Sequence, residues 1–314
     1  MRTIETLREG DHVSEIYLCK NKVNAKTKNG KTYYSLTLQD RTGSVDGKIW
    51  DLSSGIDHFE SLDYIHIEAD VTLYQGSLQL NIRRARLARE GEYNPADYLP
   101  VSPLDRKDMA QRLVNLIRSV NDPHYKALLS AFFMEDRVFA GEFVRHSAAK
   151  SVHHSFVGGL LQHTLRVTEL CDFYAKQYPV LKRDLLITGA LCHDIGKLRE
   201  LNSFPKNDYT DEGQLIGHIV IGYQMIMEKI AQIPDFPPKK AHELGHLILS
   251  HHGEFEFGSP KKPALIEALA LHYADNTDAK IETMSEILST AVNDTDWLGY
   301  QKLLESNIRK TSSD

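Results

Sequence analysis

Cysteine is scarce in this sequence. Only three cysteines occur in 314 residues, and they are widely spaced and odd in number. This pattern excludes the disulfide framework that holds small secreted domains together, and it favours a reducing compartment. We therefore expect a cytoplasmic protein.

Long apolar runs are absent as well. The first residues, MRTIETLREGDHV, mix charges with apolar side chains and lack the uninterrupted apolar core of a signal peptide. Nowhere do about 18 consecutive apolar residues occur, which is the length that a membrane-spanning helix requires. We expect neither export nor membrane insertion.

An excess of positive charge is the third absence. The formal net charge is -6, which excludes a uniformly basic coat for nucleic acid and leaves only a local patch. One such patch lies between residues 20 and 50, where seven basic residues stand against two acidic ones. A solvated loop face would explain the same charges, so the patch alone does not decide a function.

The sequence does contain enough apolar material for two folded domains. Hydrophobic residues make up 41% and charged residues 25%, which is typical of globular proteins. The length of 314 residues exceeds the roughly 150 that are usual for one domain. The segment EGEYNPADYLPVSP, with three prolines and no helical periodicity, separates the two halves. We predict an N-terminal domain over 1–90, a linker over 91–103 and a second domain over 104–314.

Residues 13 to 86 predict a small all-β domain. Short alternating runs are separated by turn sequences such as KNG at 28–30 and DRTG at 40–43. They give five strands, with a short helix expected over Ile56 to Leu62 between the third and the fourth. That order is typical of the five-stranded OB-fold barrel.

The second strand alternates, which divides its side chains between core and surface. Leu36 and Leu38 share the core parity, whereas Tyr33 points outward beside Lys48 and Trp50 of the next strand. Single-stranded nucleic acid requires aromatics that stack on bases and lysines that follow phosphates. The same surface could instead seal the barrel or bind protein or sugar. The candidate nucleic-acid-binding residues are Tyr33, Lys48, Trp50, Tyr74, Lys26, Lys28 and Lys31.

The second domain is predicted to be all-helical. Ser102-Pro103 has the residue types of a helix N-cap and first position, and an amphipathic run follows. Further helical segments extend to the end of the chain, and none of the remaining segments has convincing strand periodicity. The predicted architecture is a multi-domain chain, an all-β OB-fold barrel followed by an all-α bundle.

Histidine is concentrated in the helical half, with three of the fifteen before residue 120 and twelve after it. His193 and Asp194 end the apolar run LLITGALC, where they would be costly without partners. Further histidines and an aspartate lie on the apolar faces of other predicted helices. A single buried histidine is usually only a hydrogen-bonded core residue, but five such segments together indicate a metal site. The inward-facing residues are His163, His193, Asp194, His218, His251 and Asp275.

This pattern resembles the HD phosphohydrolase superfamily over roughly residues 150 to 285. The family's order of a histidine, a His-Asp pair, further histidines and a final aspartate is present, in matching helical context. The resemblance implies that one metal is held by His163, His193, Asp194 and Asp275. It implies that a second metal is held by Asp194, which bridges, together with His218, His251 and His252.

Mixed imidazole and carboxylate ligands suit transition metals better than Ca²⁺. We expect two divalent ions, Mn²⁺ first, with Fe, Co or Zn as alternatives. Two adjacent metals stabilise the attacking and leaving oxygens of an in-line displacement, so Asp194 is also a predicted catalytic residue. Lys197 can contact a phosphate oxygen, as the matching lysine is thought to do in related proteins. A surface loop would explain the remaining candidates for a substrate phosphate nearly as well; these are Lys150, His153 and His154.

The order of OB-fold and HD domain over the full length resembles the YhaM family of bacterial 3′-5′ exoribonucleases. The resemblance implies a hydrolase that releases nucleotides from the 3′ end of single-stranded RNA with Mn²⁺, and single-stranded DNA is left open. The cleavage polarity rests on the resemblance alone. The alternative is a phosphohydrolase of free nucleotides or cyclic dinucleotides with a regulatory OB domain. The sequence does not determine an oligomeric state, and a homo-oligomer is left open.

A competing motif, HELGH over residues 242–246, matches the HExxH pattern of zinc proteases. At about 100° per residue, however, Leu244 and His251 face the core, whereas His242 and His246 face away from it. A protease site there would leave the buried histidines without a role. We expect no metal at this motif.

Overall fold

The computed structural model describes residues 2–27, 29–53, 55–74, 76–102, 104–150, 154–290 and 295–312. The chain divides into two compact units, Met1–Val101 with Phe204–Lys206, and Ser102–Ser203 with Asn207–Asp314. Each unit has a hydrophobic core of its own. None of the helices in the described ranges is both long enough and apolar enough to cross a membrane.

The first unit is a closed barrel of five strands, β1 (His12–Lys26), β2 (Thr32–Asp40), β3 (Gly43–Ile49), β4 (Tyr64–Tyr74) and β5 (Ser77–Leu87). The strand order is β1-β2-β3-β5-β4, closed by antiparallel pairing of β1 with β4 and parallel pairing of β3 with β5. This is the topology of an OB-fold, as the sequence predicts.

Alternation along β2 and β3 places the barrel core as expected. Leu36, Leu38 and Ile49 are at most 1% exposed, while Ser35 pairs with Lys48 on the opposite face. The buried Asp40 closes the turn between the two strands, because its Oδ1 accepts hydrogen bonds from the backbone at residues 42 and 43.

The helix expected between β3 and β4 is wrong for the described residues of that connection, 50–53 and 55–63. Ile56 instead forms an isolated parallel bridge with Ala85, and Phe59 is buried in the barrel core. Leu62 has a φ of 77°, which no α-helix contains. This segment therefore has no regular secondary structure. It is held in place by the bridge from Ile56 to β5 and by the burial of Phe59.

The second unit is predominantly helical. Its helices in the described ranges are α1 (Arg106–Ser119), α2 (Pro123–Ser130), α3 (Arg137–Phe143), α4 (Gly159–Gln177), α5 (Arg183–Cys192), α6 (Lys197–Glu200), α7 (Asp211–Leu215), α8 (His218–Ile230), α9 (Pro238–Ser250) and α10 (Ile266–Thr290). α5 is buried from Leu185 to Cys192, as its apolar sequence predicts. His193 follows α5, His251 follows α9 and His218 begins α8, so three candidate ligands lie at helix ends.

The all-helical prediction is wrong at the C-terminal end of this unit. There, β6 (Trp297–Gln301) and β7 (Ser306–Arg309) form an antiparallel hairpin. Ile308 is the one buried residue of the two strands, so the hairpin carries no alternating apolar pattern by which a strand could be predicted.

The start of the first helix also differs from the prediction. α1 begins at Arg106, because the Asp105 carboxylate accepts hydrogen bonds from the first free backbone N–H groups. Ser102, the predicted N-cap, instead donates its hydroxyl to the buried Gln162 side chain at 2.5 Å.

Candidate metal centre

The Asp194 carboxylate lies between two groups of histidines. Its Oδ2 is 3.4 Å from His163 Nε2 and 3.3 Å from His193 Nε2. Its Oδ1 is 3.5 Å from His218 Nε2 and 3.8 Å from His251 Nε2. One buried carboxylate therefore presents one oxygen to each group.

The first group consists of His163, His193 and Asp275, whose ligand atoms all lie within 4.8 Å of one another. His163 Nε2 is 3.2 Å from His193 Nε2 and 3.1 Å from Asp275 Oδ1. Burial alone would lower the pKa of His163, but hydrogen bonds to Asp275 and Asp278 outweigh it and raise the pKa to about 9. A cation that binds His163 Nε2 would therefore have to displace a proton from the ring.

The second group consists of His218, His251 and His252, again within 4.8 Å of one another. Nε2 of His218, Nε2 of His251 and Oδ1 of Asp194 are buried and lack hydrogen-bond partners among the described residues. Burial, followed by the nearby His252 and His193 rings, lowers the pKa of His251 well below its ordinary value. Buried lone pairs without donors are costly, and a divalent cation fits this set of atoms.

Backbone carbonyls hold the rings of three of these histidines. Nδ1 donates to a carbonyl oxygen at 2.7 Å in His193, 2.7 Å in His251 and 2.8 Å in His252. Because a carbonyl oxygen only accepts, the proton lies on Nδ1 and each Nε2 keeps its lone pair for a metal.

Two carboxylates that the sequence analysis missed hold the other two rings. Asp278 Oδ2 lies 2.7 Å from His163 Nδ1, and Glu200 Oε1 lies 2.8 Å from His218 Nδ1. Such partners fix the ring and raise its basicity as a ligand. Asp278 follows Asp275 by three residues, a spacing that places both on one helical face and could have revealed it. No sequence spacing indicates Glu200, because Glu200 ends α6 and contacts His218 only after the chain has reversed direction to begin α8.

A glycine explains how Asp194, which follows α5, lies close to His218. A Cβ at Gly196 would lie 2.0 Å from the carbonyl oxygen of His218 and 2.7 Å from the backbone nitrogen of Gly222. Only glycine permits this close approach of two backbones. Gly196 thus allows α8 to bring His218 to Asp194.

Lys197 is part of the centre. Its Nζ lies 2.7 Å from Asp194 Oδ2. Burial would lower the pKa of Lys197, but the Asp194 carboxylate outweighs burial and raises it, so the ammonium stays charged. Together with three of the candidate ligands, Lys197 lines a cavity of about 600 Å³; these ligands are His163, His252 and Asp275.

Two of the other predicted phosphate contacts, Lys150 and His154, are not among the described residues that line this cavity. Lys150 Nζ lies 2.7 Å from Asp208 Oδ1. His154 is 1% exposed, with Nε2 2.9 Å from Asp278 Oδ2, so the prediction that it faces a substrate is wrong. The segment before α4 folds closely over that helix, which turns His154 inward behind His163. His153 lies outside the described residues.

The HExxH segment is not part of the centre. His242 is exposed, and His246 Nε2 accepts a hydrogen bond from the backbone of Ala264 at 2.8 Å. The potential metal-binding groups found in the described part of the chain include neither residue. The exposure of His242 agrees with the helical phase, and the absence of a metal at this motif stays a prediction.

On the barrel, Tyr33 and Trp50 form an aromatic pair. Their ring centroids are 4.5 Å apart, and Trp50 is 40% exposed. A cavity of about 240 Å³ adjoins Trp50, with Asn81 and Arg83 of β5 in its lining. The two rings thus lie side by side on this face, and base stacking on them stays a prediction.

The basic patch is smaller than the sequence count implies. Lys48 is 15% exposed and donates to Ser35 Oγ at 2.6 Å and to Asp46 Oδ2 at 3.1 Å. Lys22 lies against the rings of Tyr34 and Phe59 and is 9% exposed. The loop residues Lys26, Lys31 and Tyr74 are exposed, and Lys28 lies outside the described residues.

Comparison with known proteins agrees with this geometry. The HD domain family matches residues 160–280, which contain all of the histidines and aspartates of the two groups. The helical unit therefore contains an HD domain, a class whose His-Asp centre implies a divalent metal.

Full-length relatives identify the family. "3'-5' exoribonuclease YhaM" of Geobacillus sp. (strain WCH70) is 35% identical over 281 residues, covering 89% of this chain and 86% of the relative. The protein of the same name from Bacillus velezensis (strain DSM 23117 / BGSC 10A6 / LMG 26770 / FZB42) is 35% identical over 283 residues, covering 89% and 88%. The chain belongs to the YhaM family of 3′-5′ exoribonucleases.

Among solved structures, the second OB-fold domain of replication protein A from Methanococcus maripaludis is 18% identical. The matched region covers 29% of this protein and 97% of the replication protein A domain, with a TM-score of 0.22. A likeness of this size carries no argument, so the OB-fold assignment rests on the strand order of the barrel itself.

Proposed function

We propose that the protein is a metal-dependent 3′-5′ exoribonuclease, which hydrolyses single-stranded RNA from its 3′ end. The observation that carries this is the Asp194 carboxylate, placed with one oxygen against each of two histidine groups. In the reaction, water gives its hydroxyl to phosphorus, one P–O ester bond breaks, and the leaving oxygen takes the proton.

The residues around Asp194 would hold two divalent ions. His163, His193, Asp194 and Asp275 would hold the first ion. Asp194, His218, His251 and His252 would hold the second. Such a pair of ions lowers the pKa of water and stabilises the charge on attacking and leaving oxygens. The mixed nitrogen and oxygen donors favour Mn²⁺, with Fe, Co and Zn as the alternatives.

Lys197 would orient the substrate. Its ammonium is held by Asp194 and lines the cavity, so a non-bridging phosphate oxygen can pair with it. Burial limits water there and keeps the side chain in one place, which strengthens a charge interaction with phosphate.

The barrel would bind RNA upstream of the scissile bond. Bases would stack on Tyr33 and Trp50. Phosphates would contact the loop cations Lys26, Lys28 and Lys31, while Lys48 and Tyr74 border the same surface. In this proposal the RNA-binding domain spans 1–90, a linker spans 91–103 and the catalytic domain spans 104–314. The protein acts in the cytoplasm. Single-stranded DNA would compete for the same stacking face.

The direct test is Asp194→Asn, which keeps the shape of the side chain but removes the charge that two cations require. We expect turnover of 5′-end-labelled RNA in Mn²⁺ to fall by about 10³-fold or more. Bound metal should fall as well, while the helical circular dichroism signal is retained. Asp211→Asn, at an exposed position beginning α7, is the matched control and should behave as wild type.

Two outcomes would contradict the proposal. Full turnover in Asp194→Asn would remove the bridging role. Shortening that does not start at the 3′ end, or activity on free nucleotides without any gain from oligonucleotide length, would favour a small-molecule phosphohydrolase instead.

A further inference from the structure

The C-terminal hairpin reaches the cavity of the metal centre. The cavity of about 600 Å³ is lined on one side by candidate ligands, Asp275 among them, and elsewhere by Leu303, Leu304 and Glu305. These three residues belong to the four-residue turn between β6 and β7, which spans 302–305. All of them belong to the same compact unit as the metal centre.

The turn is held by its own backbone. Gln301 pairs with Ser306 as the last pair of the hairpin, and Leu304 N–H donates to the carbonyl of Gln301 at 3.1 Å. Ile308 of β7 is 4% exposed, which anchors the hairpin on the unit. The turn is therefore a formed wall of the cavity.

The size of the cavity suits one nucleotide. Its volume falls within the roughly 300 to 1,000 Å³ of small-ligand sites. Phe257, 62% exposed, lines the same cavity and offers an aromatic ring to a base.

Two charged side chains line the cavity. Lys280 lies on α10 one turn after Asn276, and both line the cavity with Glu305. Lys280 and Glu305 are exposed, and neither forms an ion pair with another residue that the structure describes. An ammonium offers a point charge to phosphate, and a carboxylate accepts hydrogen bonds from hydroxyl groups.

We propose that the β6–β7 turn closes a subsite for the 3′-terminal nucleotide, in which Glu305 accepts hydrogen bonds from the terminal ribose hydroxyls. Lys280 contacts the phosphate of that nucleotide. The inference rests on the proposed exoribonuclease function and adds how the chain end is recognised. Because a 2′-deoxy end lacks one hydroxyl donor, Glu305 also favours RNA ends over DNA ends.

The test compares two oligoribonucleotides that differ only in the terminal residue, ribose or 2′-deoxyribose. We expect wild type to cleave the ribose end faster. In Glu305→Gln, an amide replaces the charged acceptor and the ribose-to-deoxyribose rate ratio should shrink by about tenfold, the scale of one hydrogen bond to a charged group. Because the ratio is taken within one variant, a general loss of activity cancels.

Lys302→Gln is the matched control, since Lys302 lies in the same turn but does not line the cavity. It should keep the wild-type ratio. Lys280→Gln should raise KM for RNA more than it lowers kcat.

An equal ratio in wild type and Glu305→Gln, or no preference in wild type, would overturn the subsite. Failure of the proposed function itself is distinguishable, because wild type would then cleave neither oligonucleotide in Mn²⁺.

Discussion

The metal centre and the barrel face differ in how firmly folding holds their side chains. In the centre, the five candidate histidine ligands are fixed through Nδ1 by a carbonyl or a carboxylate, which leaves each Nε2 for a metal. On the barrel, the rings of Tyr33 and Trp50 contact each other and make no hydrogen bond to another described residue. The side chains of the metal centre are thus positioned before any ligand binds, whereas the rings of the proposed RNA-binding face contact each other.

This difference predicts where substitutions act. Changes in the centre should alter metal content and turnover, since the geometry is held by buried contacts. Changes on the barrel face should alter affinity for RNA with little effect on the fold. Four variants, one of them a double substitution, test this contrast.

The largest effect is expected at Gly196. Gly196→Ala places a Cβ against the backbone of α8, and backbone atoms cannot move aside as a flexible side chain can. We expect a loss of about 3 kcal/mol in the free energy of unfolding, at the upper end for overpacking. Urea unfolding measures it.

Gly141→Ala is the control for that substitution, because Gly141 lies in α3 with nothing within 4 Å of its Cβ position. Its helix should gain up to about 1 kcal/mol. Equal free energies of unfolding for the two variants would show that the protein does not need the close approach of α8 to the backbone at Gly196.

The next effect is expected at Glu200. Glu200→Ala removes the acceptor that holds both Nδ1 and the backbone N–H of His218. Metal affinity should fall about 10- to 100-fold, as for other supporting carboxylates, and Glu200→Gln should recover part of it. Titration calorimetry with Mn²⁺ gives the measurement.

Glu212→Ala serves as its control, because Glu212 pairs with Arg199 and has no contact with a candidate ligand. Unchanged metal affinity in Glu200→Ala would mean that the His218 ring is held well enough without its carboxylate.

A smaller effect is expected on the barrel face. Trp50→Ala should cost about 1 to 3 kcal/mol in affinity for single-stranded RNA if a base stacks there, with metal content unchanged. Leu87→Ala is the control, since Leu87 is exposed to a similar extent on another strand of the same barrel. If both variants bind RNA with wild-type affinity, Trp50 has only a structural role in the barrel and no base stacks on it.

No effect on metal is expected from the double variant His242→Ala and His246→Ala. Stability should fall by about 1 kcal/mol, because the N–H of Ala264 loses its acceptor. Metal analysis of the purified variant is sufficient, and any loss of bound metal at unchanged fold would contradict the helical-phase argument.

The sequence by itself determined the barrel, the helical HD domain and the identity of the candidate ligands. Strand alternation and helical periodicity are local properties, so Leu36 and Leu38 were assignable to the core without coordinates. His163 and Asp275 were recognisable because apolar neighbours at helical spacing mark a buried face, and His193 because it ends a continuous apolar run.

Only the tertiary structure decided which residues support those ligands and which close the cavity. Glu200 reaches His218 through a chain reversal, His154 turns behind His163, and the β6–β7 turn lines the cavity from residues distant in sequence. None of these contacts follows from spacing along one element, because each depends on where two separate elements meet in the packed unit. That is also why Lys22 and Lys48, counted as basic surface from the sequence, prove to be largely committed to neighbours within the barrel.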